Sequence, residues 1–173
     1  MSITLIAMID ENDGLGDKDG NLLYDLPKDR RFFQNITTGK HVVMGRKTWE
    51  SLPKKPLSKR KNYVLTMQED YVAEGATVLR DTDEILELAK DKEVFIIGGS
   101  ELYFQMIEHA DHLILTHVHS YNDDATCIFP PVTVQDWKIT KVQQHKEDSK
   151  HAHNFVFAWY EKREIYEAKQ EKE

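Results

Sequence analysis

Twice in this chain a short apolar run ends on glycine and passes straight into residues with helical spacing. Val42-Val43-Met44 leads into Gly45-Arg46-Lys47-Thr48-Trp49, and Val94-Phe95-Ile96-Ile97 leads into Gly98-Gly99-Ser100-Glu101-Leu102-Tyr103. Apolar runs of three or four residues are too short for helices and read as strands buried on both faces. A strand that turns directly into a helix comes back through a crossover, so the next strand lies parallel to it. The same alternation recurs along the chain and constrains it to an α/β fold with a mostly parallel central sheet.

Residues 2–9 (SITLIAMI) form the first expected strand and 10–23 a long Gly/Asp/Asn loop of the kind that serves as a lid or binding loop. Residues 27–37 have helical spacing, with Pro27 in the first turn and Phe32, Phe33 and Ile36 on one face. Strands are expected at 41–44, 62–66, 76–79, 94–97 and 112–119, and helices at 46–52, 85–90 and 100–106. Asp81 and Glu84 have the spacing of a capping box before the 85–90 helix. Two longer strands near 135–145 and 153–162 close the chain as a hairpin with an antiparallel edge. Residues 1–163 read as a single domain, followed by a charged tail over 164–173 that is expected to fray.

Net charge is −7, which argues against a broad nucleic-acid-binding face. Two small basic points stand out nonetheless, Arg46-Lys47 and the cluster Lys54, Lys55, Lys59, Arg60, Lys61. They suit either small anionic ligands or plain solvation. No apolar run approaches the length of a membrane span, and the N-terminus has no basic region ahead of its apolar stretch. Cys127 is the sole cysteine, which excludes an intramolecular disulfide and suits a reducing, cytoplasmic setting.

Three junctions carry chemistry. At Gly98-Gly99 the missing side chains allow close backbone approach, and the helix that follows offers N–H groups to a phosphate; a tight packing turn would look the same. At Gly45 the helix opens with Arg46 and Lys47, cations the helix dipole disfavours there unless an anion is present. In Leu26-Pro27-Lys28-Asp29, the carboxylate lies one turn before Phe33, where it could pair with a planar amidine-like ring or simply sit exposed at a helix start. Gly14-Leu15-Gly16 imitates a dinucleotide fingerprint without the helix it requires, and the same loop lacks calcium-loop spacing. The pairs His117/His119 and His151/His153 could each face one side of a strand, but no further ligands converge on them, so no metal is expected.

Taken in order, ITLIAMI, GLGDKDGNLLYDLPKDRRFF, VVMGRKTWESL, KPLSKRKNYVLT, VFIIGGSELY, LILTHV and DATCIFP resemble the dihydrofolate reductase family over residues 2–162. The resemblance implies an eight-stranded, mostly parallel sheet with an antiparallel C-terminal strand and about four helices. It implies hydride transfer from NADPH to dihydrofolate, with antifolates as further small-molecule partners, in a cytoplasmic monomer that binds neither nucleic acid nor membrane. By position, Asp29 would hold the pterin and Thr116 would support it. Ile6, Ala7, Phe33, Leu52 and Leu57 would line the pterin and benzoyl pocket. Arg60 would pair with the substrate α-carboxylate, with Lys55 a lesser contact. Met8, Gly45, Thr48, Ile97 and Gly98 would surround the nicotinamide, and Gly99, Ser100, Glu101, Leu102 and Tyr103 the pyrophosphate. Arg46, Lys47, Leu65, Thr66 and Met67 would lie near the adenosine and its 2′-phosphate. Leu15, Gly16 and Leu22 belong to the lid, with Leu22 nearest the reacting atoms.

The sequence departs from the family pattern at three points. Tyr24 stands where the family carries tryptophan, and its hydroxyl is expected to take over the holding of a water at the pterin. Leu23 replaces a proline, which would loosen the lid. Glu101 places an acid near the cofactor phosphates. The rival readings are a riboflavin-pathway reductase, which should lack both Asp29 and Arg60, and a nucleotide-binding module without catalysis.

Overall fold

The computed structural model describes residues 1–172. Ten strands and five helices follow one another as β1 (Ser2–Ile9), β2 (Gly14–Gly16), α1 (Pro27–Thr37), β3 (His41–Gly45), α2 (Arg46–Ser51), β4 (Lys61–Leu65), β5 (Thr77–Leu79), α3 (Thr82–Asp91), β6 (Glu93–Ile96), α4 (Ser100–Met106), β7 (His112–Val118), β8 (Cys127–Ile128), β9 (Trp137–His145), β10 (Phe155–Lys162) and α5 (Arg163–Gln170). Eight strands form one sheet in the order β5-β4-β3-β6-β1-β7-β10-β9. Every neighbouring pair from β5 to β7 is parallel, while β10 runs antiparallel to both β7 and β9.

The two faces of the sheet follow from the two-residue period of its strands. Ile3, Leu5 and Ile9 of β1 pack with Ile85 and Ala89 of α3 and with Leu102 and Met106 of α4. Ile6 faces the opposite side with Val42, Met44, Val64, Phe95 and Ile114, where Phe32, Phe33 and Ile36 of α1 and Trp49 of α2 cover it. Met8 continues that face toward Phe155 and Phe157. Because the strands are parallel, β1, β3, β4, β5 and β6 all end at one edge of the sheet. Open α/β sheets bind ligands at that edge.

α3 begins three residues earlier than expected. Asp81 accepts from the Glu84 amide at 3.0 Å, and Glu84 reaches back to the Arg80 amide at 2.6 Å, so the cap itself starts the helix at Thr82. The short pair β2–β8 was not legible, because Gly14–Gly16 carries little strand propensity and is held by its partner strand.

The expectation of a fraying tail is corrected: residues 163–170 are helical and form a fifth helix. Glu161 is buried and pairs with Lys169, Lys138 lies 5.6 Å from the Tyr166 ring, and two guanidinium nitrogens of Arg163 donate to the Val134 carbonyl. The polar sequence hides a helix that is anchored by its charges. Among the described residues no helix is long and apolar enough to cross a membrane.

Candidate active site

Asp29 owes its position to how α1 starts. Leu26 is buried and anchors the entry, Pro27 sits at the first helical position, and Asp29 follows in the first turn. Its carboxylate turns back onto the sheet and accepts from the Thr116 hydroxyl at 2.5 Å. Thr116 pairs in register with Met8 on one side and Phe157 on the other, all on the α1 face. Burial pushes the Asp29 carboxyl above its ordinary 3.8, and the Thr116 hydrogen bond partly offsets this. Asp29 shares a cavity of about 210 Å³ with Met8, Leu22, Tyr24, Asp25 and Leu26. Half-buried Phe33, Leu52 and Leu57 pack against the Ile6 cluster on the same face of the sheet. Ala7 does not join them, since a one-residue step along β1 turns its methyl to the α3–α4 face.

The glycine turns lie at the ends of adjacent strands. The Gly45 amide donates to the Gly98 carbonyl at 2.8 Å, and the Ile97 amide to the Val43 carbonyl at 2.9 Å. Gly98 has φ of +119°, a conformation that other residues adopt only with strain, and a side chain there would meet the Tyr103 hydroxyl at 3.4 Å. A Cβ on Gly99 would lie 3.3 Å from the Thr48 hydroxyl. The result is a shallow cradle of bare backbone beside one hydroxyl. Ser100 donates to the Ile128 carbonyl at 2.5 Å, and Glu101 is exposed in the first turn of α4. Leu102 and Tyr103 were expected among the cofactor contacts, but both side chains are core residues. The Tyr103 hydroxyl donates to the Ile6 carbonyl at 2.6 Å and ties α4 to β1.

Cations gather at the same edge. Arg46 forms a two-pronged pair with Glu50, at 2.9 and 3.1 Å, and Tyr71 donates to the same carboxylate. Lys47 is exposed. The Thr66 hydroxyl accepts from the Gln68 amide, Leu65 ends β4, and Met67 is exposed. Sequence reasoning passed over Arg80. Placed just after β5, it donates to the carbonyls of Thr66, Gln68 and Glu69 and so braces that loop. Its signal was its place at the end of a parallel strand.

Arg60 donates to the Ser58 carbonyl at 3.0 Å and to the Thr37 hydroxyl at 3.1 Å, with the Phe33 ring 5.8 Å away. The expectation for Lys55 is corrected. Its ammonium caps the end of α2, donating to the carbonyls of Trp49 and Glu50, where the helix dipole favours a cation.

The lid is more constrained than its composition suggests. Asp17 accepts from the amides of Asp19 and Asn21 and from the Asn21 side chain, which closes the tip into a tight turn with Leu22 exposed beyond it. Leu15 is buried in the core, and a side chain on Gly16 would strike the Asn21 carbonyl at 2.9 Å. At the lid's base lies buried Asp10, which the sequence did not single out. One oxygen accepts from the amides of Asn12 and Gly14, the other from the Asn122 amide and the Tyr24 hydroxyl, the last at 3.2 Å. This corrects the expectation for Tyr24: a phenol has one proton to donate, and here it goes to Asp10 and not to a water at the pterin position.

A parallel sheet edge with a bare-backbone cradle on one side and a half-buried carboxylate on the other suits an α/β enzyme that brings a phosphorylated nucleotide to a small polar ring. The sequence profile of dihydrofolate reductase matches residues 2–162. The dihydrofolate reductase of Bacillus subtilis is 35% identical over 162 residues, covering 93% of this chain and 95% of that protein. That of Neisseria meningitidis serogroup A is 39% identical over 163 residues, covering 92% and 98%. Among solved structures, dihydrofolate reductase from Enterococcus faecalis complexed with NADP(H) and RAB-propyl superposes with a TM-score of 0.87 at 29% identity, covering 93% of this chain and 96% of that one. The chain belongs to the dihydrofolate reductase family.

Proposed function

We propose that the chain reduces dihydrofolate to tetrahydrofolate with NADPH. The observation that carries this reading is Asp29, a half-buried carboxylate held by Thr116 in a cavity it shares with Met8 and Leu22. The cradle fits the cofactor, because Gly98 and Gly99 leave open the space that side chains would fill against Tyr103 and Thr48. When bound, NADPH supplies the hydride. Met8, Gly45, Thr48, Ile97 and Gly98 would hold its nicotinamide end, Gly99 and Ser100 its pyrophosphate, and Arg46, Lys47, Leu65, Thr66 and Met67 its adenosine end.

Asp29 orients the pterin through paired hydrogen bonds to the 2-amino group and adjacent ring nitrogen, and polarises the ring toward accepting a proton. Its carboxylate does not itself deliver the proton to N5; water does. Ile6, Phe33, Leu52 and Leu57 hold the ring and benzoyl group in one orientation, and Leu22 on the lid excludes bulk water from the reacting atoms. Antifolates would occupy the same cavity. We read the protein as a cytoplasmic monomer without nucleic-acid partners. Loss of NADPH absorbance on adding dihydrofolate tests the activity, and no loss with folded protein would remove it.

Two further outcomes follow from the site. NADPH should be preferred over NADH by at least about tenfold in kcat/KM, because exposed Lys47, joined by Arg46 when it exchanges Glu50 for phosphate, would meet the 2′-phosphate. Equal kcat/KM for both cofactors would refute this placement. Tyr24→Phe removes the hydroxyl that reaches Asp10 and should cost about 1 kcal/mol of stability. Single-turnover kinetics should show a slower hydride step with dihydrofolate affinity unchanged. If stability and hydride rate both match the wild type, the Asp10 contact has no part in holding the lid.

A further inference from the structure

The first turn of α1, which carries Asp29, has no cap of its own. Leu26 precedes it and offers no side-chain acceptor, and the first helical amide belongs to Lys28 because Pro27 has none. That amide donates to His151 Nε2 at 3.1 Å, across 123 positions of sequence. His151 is buried at 5% exposure, at the tip of the connection between β9 and β10. A tight turn holds it there, with the Asp148 amide donating to the His151 carbonyl and the His151 amide to the Asp148 carbonyl. Its other nitrogen, Nδ1, lies 2.7 Å from the Asp148 carboxylate.

These two contacts admit one protonation state. An amide donor requires a lone pair on Nε2, and a carboxylate requires a proton on Nδ1. His151 must therefore be neutral, with its proton on Nδ1. A second proton would remove the acceptor and set a cation against the positive end of the α1 dipole.

We propose that His151 is a positioning residue for the reduction: as a neutral imidazole it caps α1 in trans and fixes the turn that carries Asp29, and its protonation releases that turn. The proposal rests on the reading of Asp29 as the pterin-holding carboxylate.

Asp148 in the same turn keeps the ring proton on Nδ1, and it also accepts from the Lys150 amide. On α1, the Lys28 ammonium lies 3.2 Å from Nδ1 of His145, which packs on β9 against Phe155 and Phe157. Phe155 also flanks the His151 ring, and His153 packs on Tyr24. Phe157 stacks on Phe32 of α1 at 3.9 Å, so the hairpin grips the same helix at two levels.

Nitrogen NMR of wild-type protein should find His151 at neutral pH with its proton on Nδ1, and the Lys28 amide should lose protection from exchange when acid places a second proton on the ring. His151→Leu should lower kcat/KM for dihydrofolate roughly 3- to 30-fold, mainly through KM, and leave NADPH affinity unchanged. His151→Gln offers an amide oxygen to the same donor and should restore most of the loss while flattening the acid limb of the pH profile. A proton on Nε2 at neutral pH would overturn the proposal. So would a leucine variant with wild-type kcat/KM and pH profile, or one that loses NADPH affinity equally, which would mark a packing role only. If the leucine variant does not fold, Asp148→Ala frees the tautomer and should give the same pattern at smaller size; an unchanged pH profile there overturns the proposal. A wild type that turns over no dihydrofolate, yet shows the Nδ1 proton and acid-labile Lys28 protection, removes the substrate reading while leaving the cap observed.

Discussion

Replacing Asp29 with Asn should yield a folded protein that loses roughly 10²–10⁴-fold in kcat/KM for dihydrofolate at neutral pH. An amide in that place still accepts from Thr116, so the local architecture should survive. It cannot present two acceptor oxygens to the pterin or favour a protonated ring. Activity should return in part toward low pH, where the substrate arrives already protonated. Stability should move the other way. Burial raises the folded-state pKa of this carboxyl above its ordinary 3.8, so the stability it contributes is complete below that value and lost as pH rises through the folded-state pKa. The amide has no such loss. Asp29→Asn should therefore be more stable than wild type at pH 7, with the difference shrinking as pH falls into the ordinary carboxyl range. Thermal melts across pH check this. A variant with near wild-type turnover at neutral pH would overturn the role given to Asp29.

Arg60→Ala should separate ligands by their charge. Its guanidinium is braced by Thr37 and the Ser58 carbonyl and stands against Phe33. Two of its five N–H groups are engaged in those bonds. A bidentate pair with a ligand carboxylate is worth about 2–5 kcal/mol, so dihydrofolate and methotrexate should bind roughly 30- to 5,000-fold more weakly. A small diaminopyrimidine without a carboxylate should be nearly unaffected. Isothermal titration with both ligands tests this, and equal losses would count against the assignment.

The sheet, its parallel run and most element boundaries could be read from sequence because apolar runs and glycine turns are local signals. Asp29 and Arg60 could be singled out for the same reason: one sits in a helix start, the other in a basic cluster. The bracing roles of Asp10, Arg80 and His151 could not. Each acts on a segment remote in sequence: Asp10 on the Asn122 amide, Arg80 on the 66–69 loop, His151 on α1. Their importance depends on where buried donors need acceptors, and that is decided only when the strands assemble. Tyr24 and Lys55 misled for a related reason, since each has donors that nearer partners claim. The tail misled because charge dominates its composition, and the short apolar face of Ile165 and Tyr166 is easily overlooked among ion-pairing residues.

The Asp10 carboxylate has a consequence for how the molecule fluctuates. Its four donors come from the start of the lid, from Tyr24 beyond the lid, and from the loop at Asn122. Freeing any one segment leaves a buried charge short of a partner, which costs more than the single bond lost. The three segments are therefore cheapest to release together. In hydrogen exchange they should behave as one cooperative unit with a shared opening free energy, although some hundred residues of chain lie between its parts.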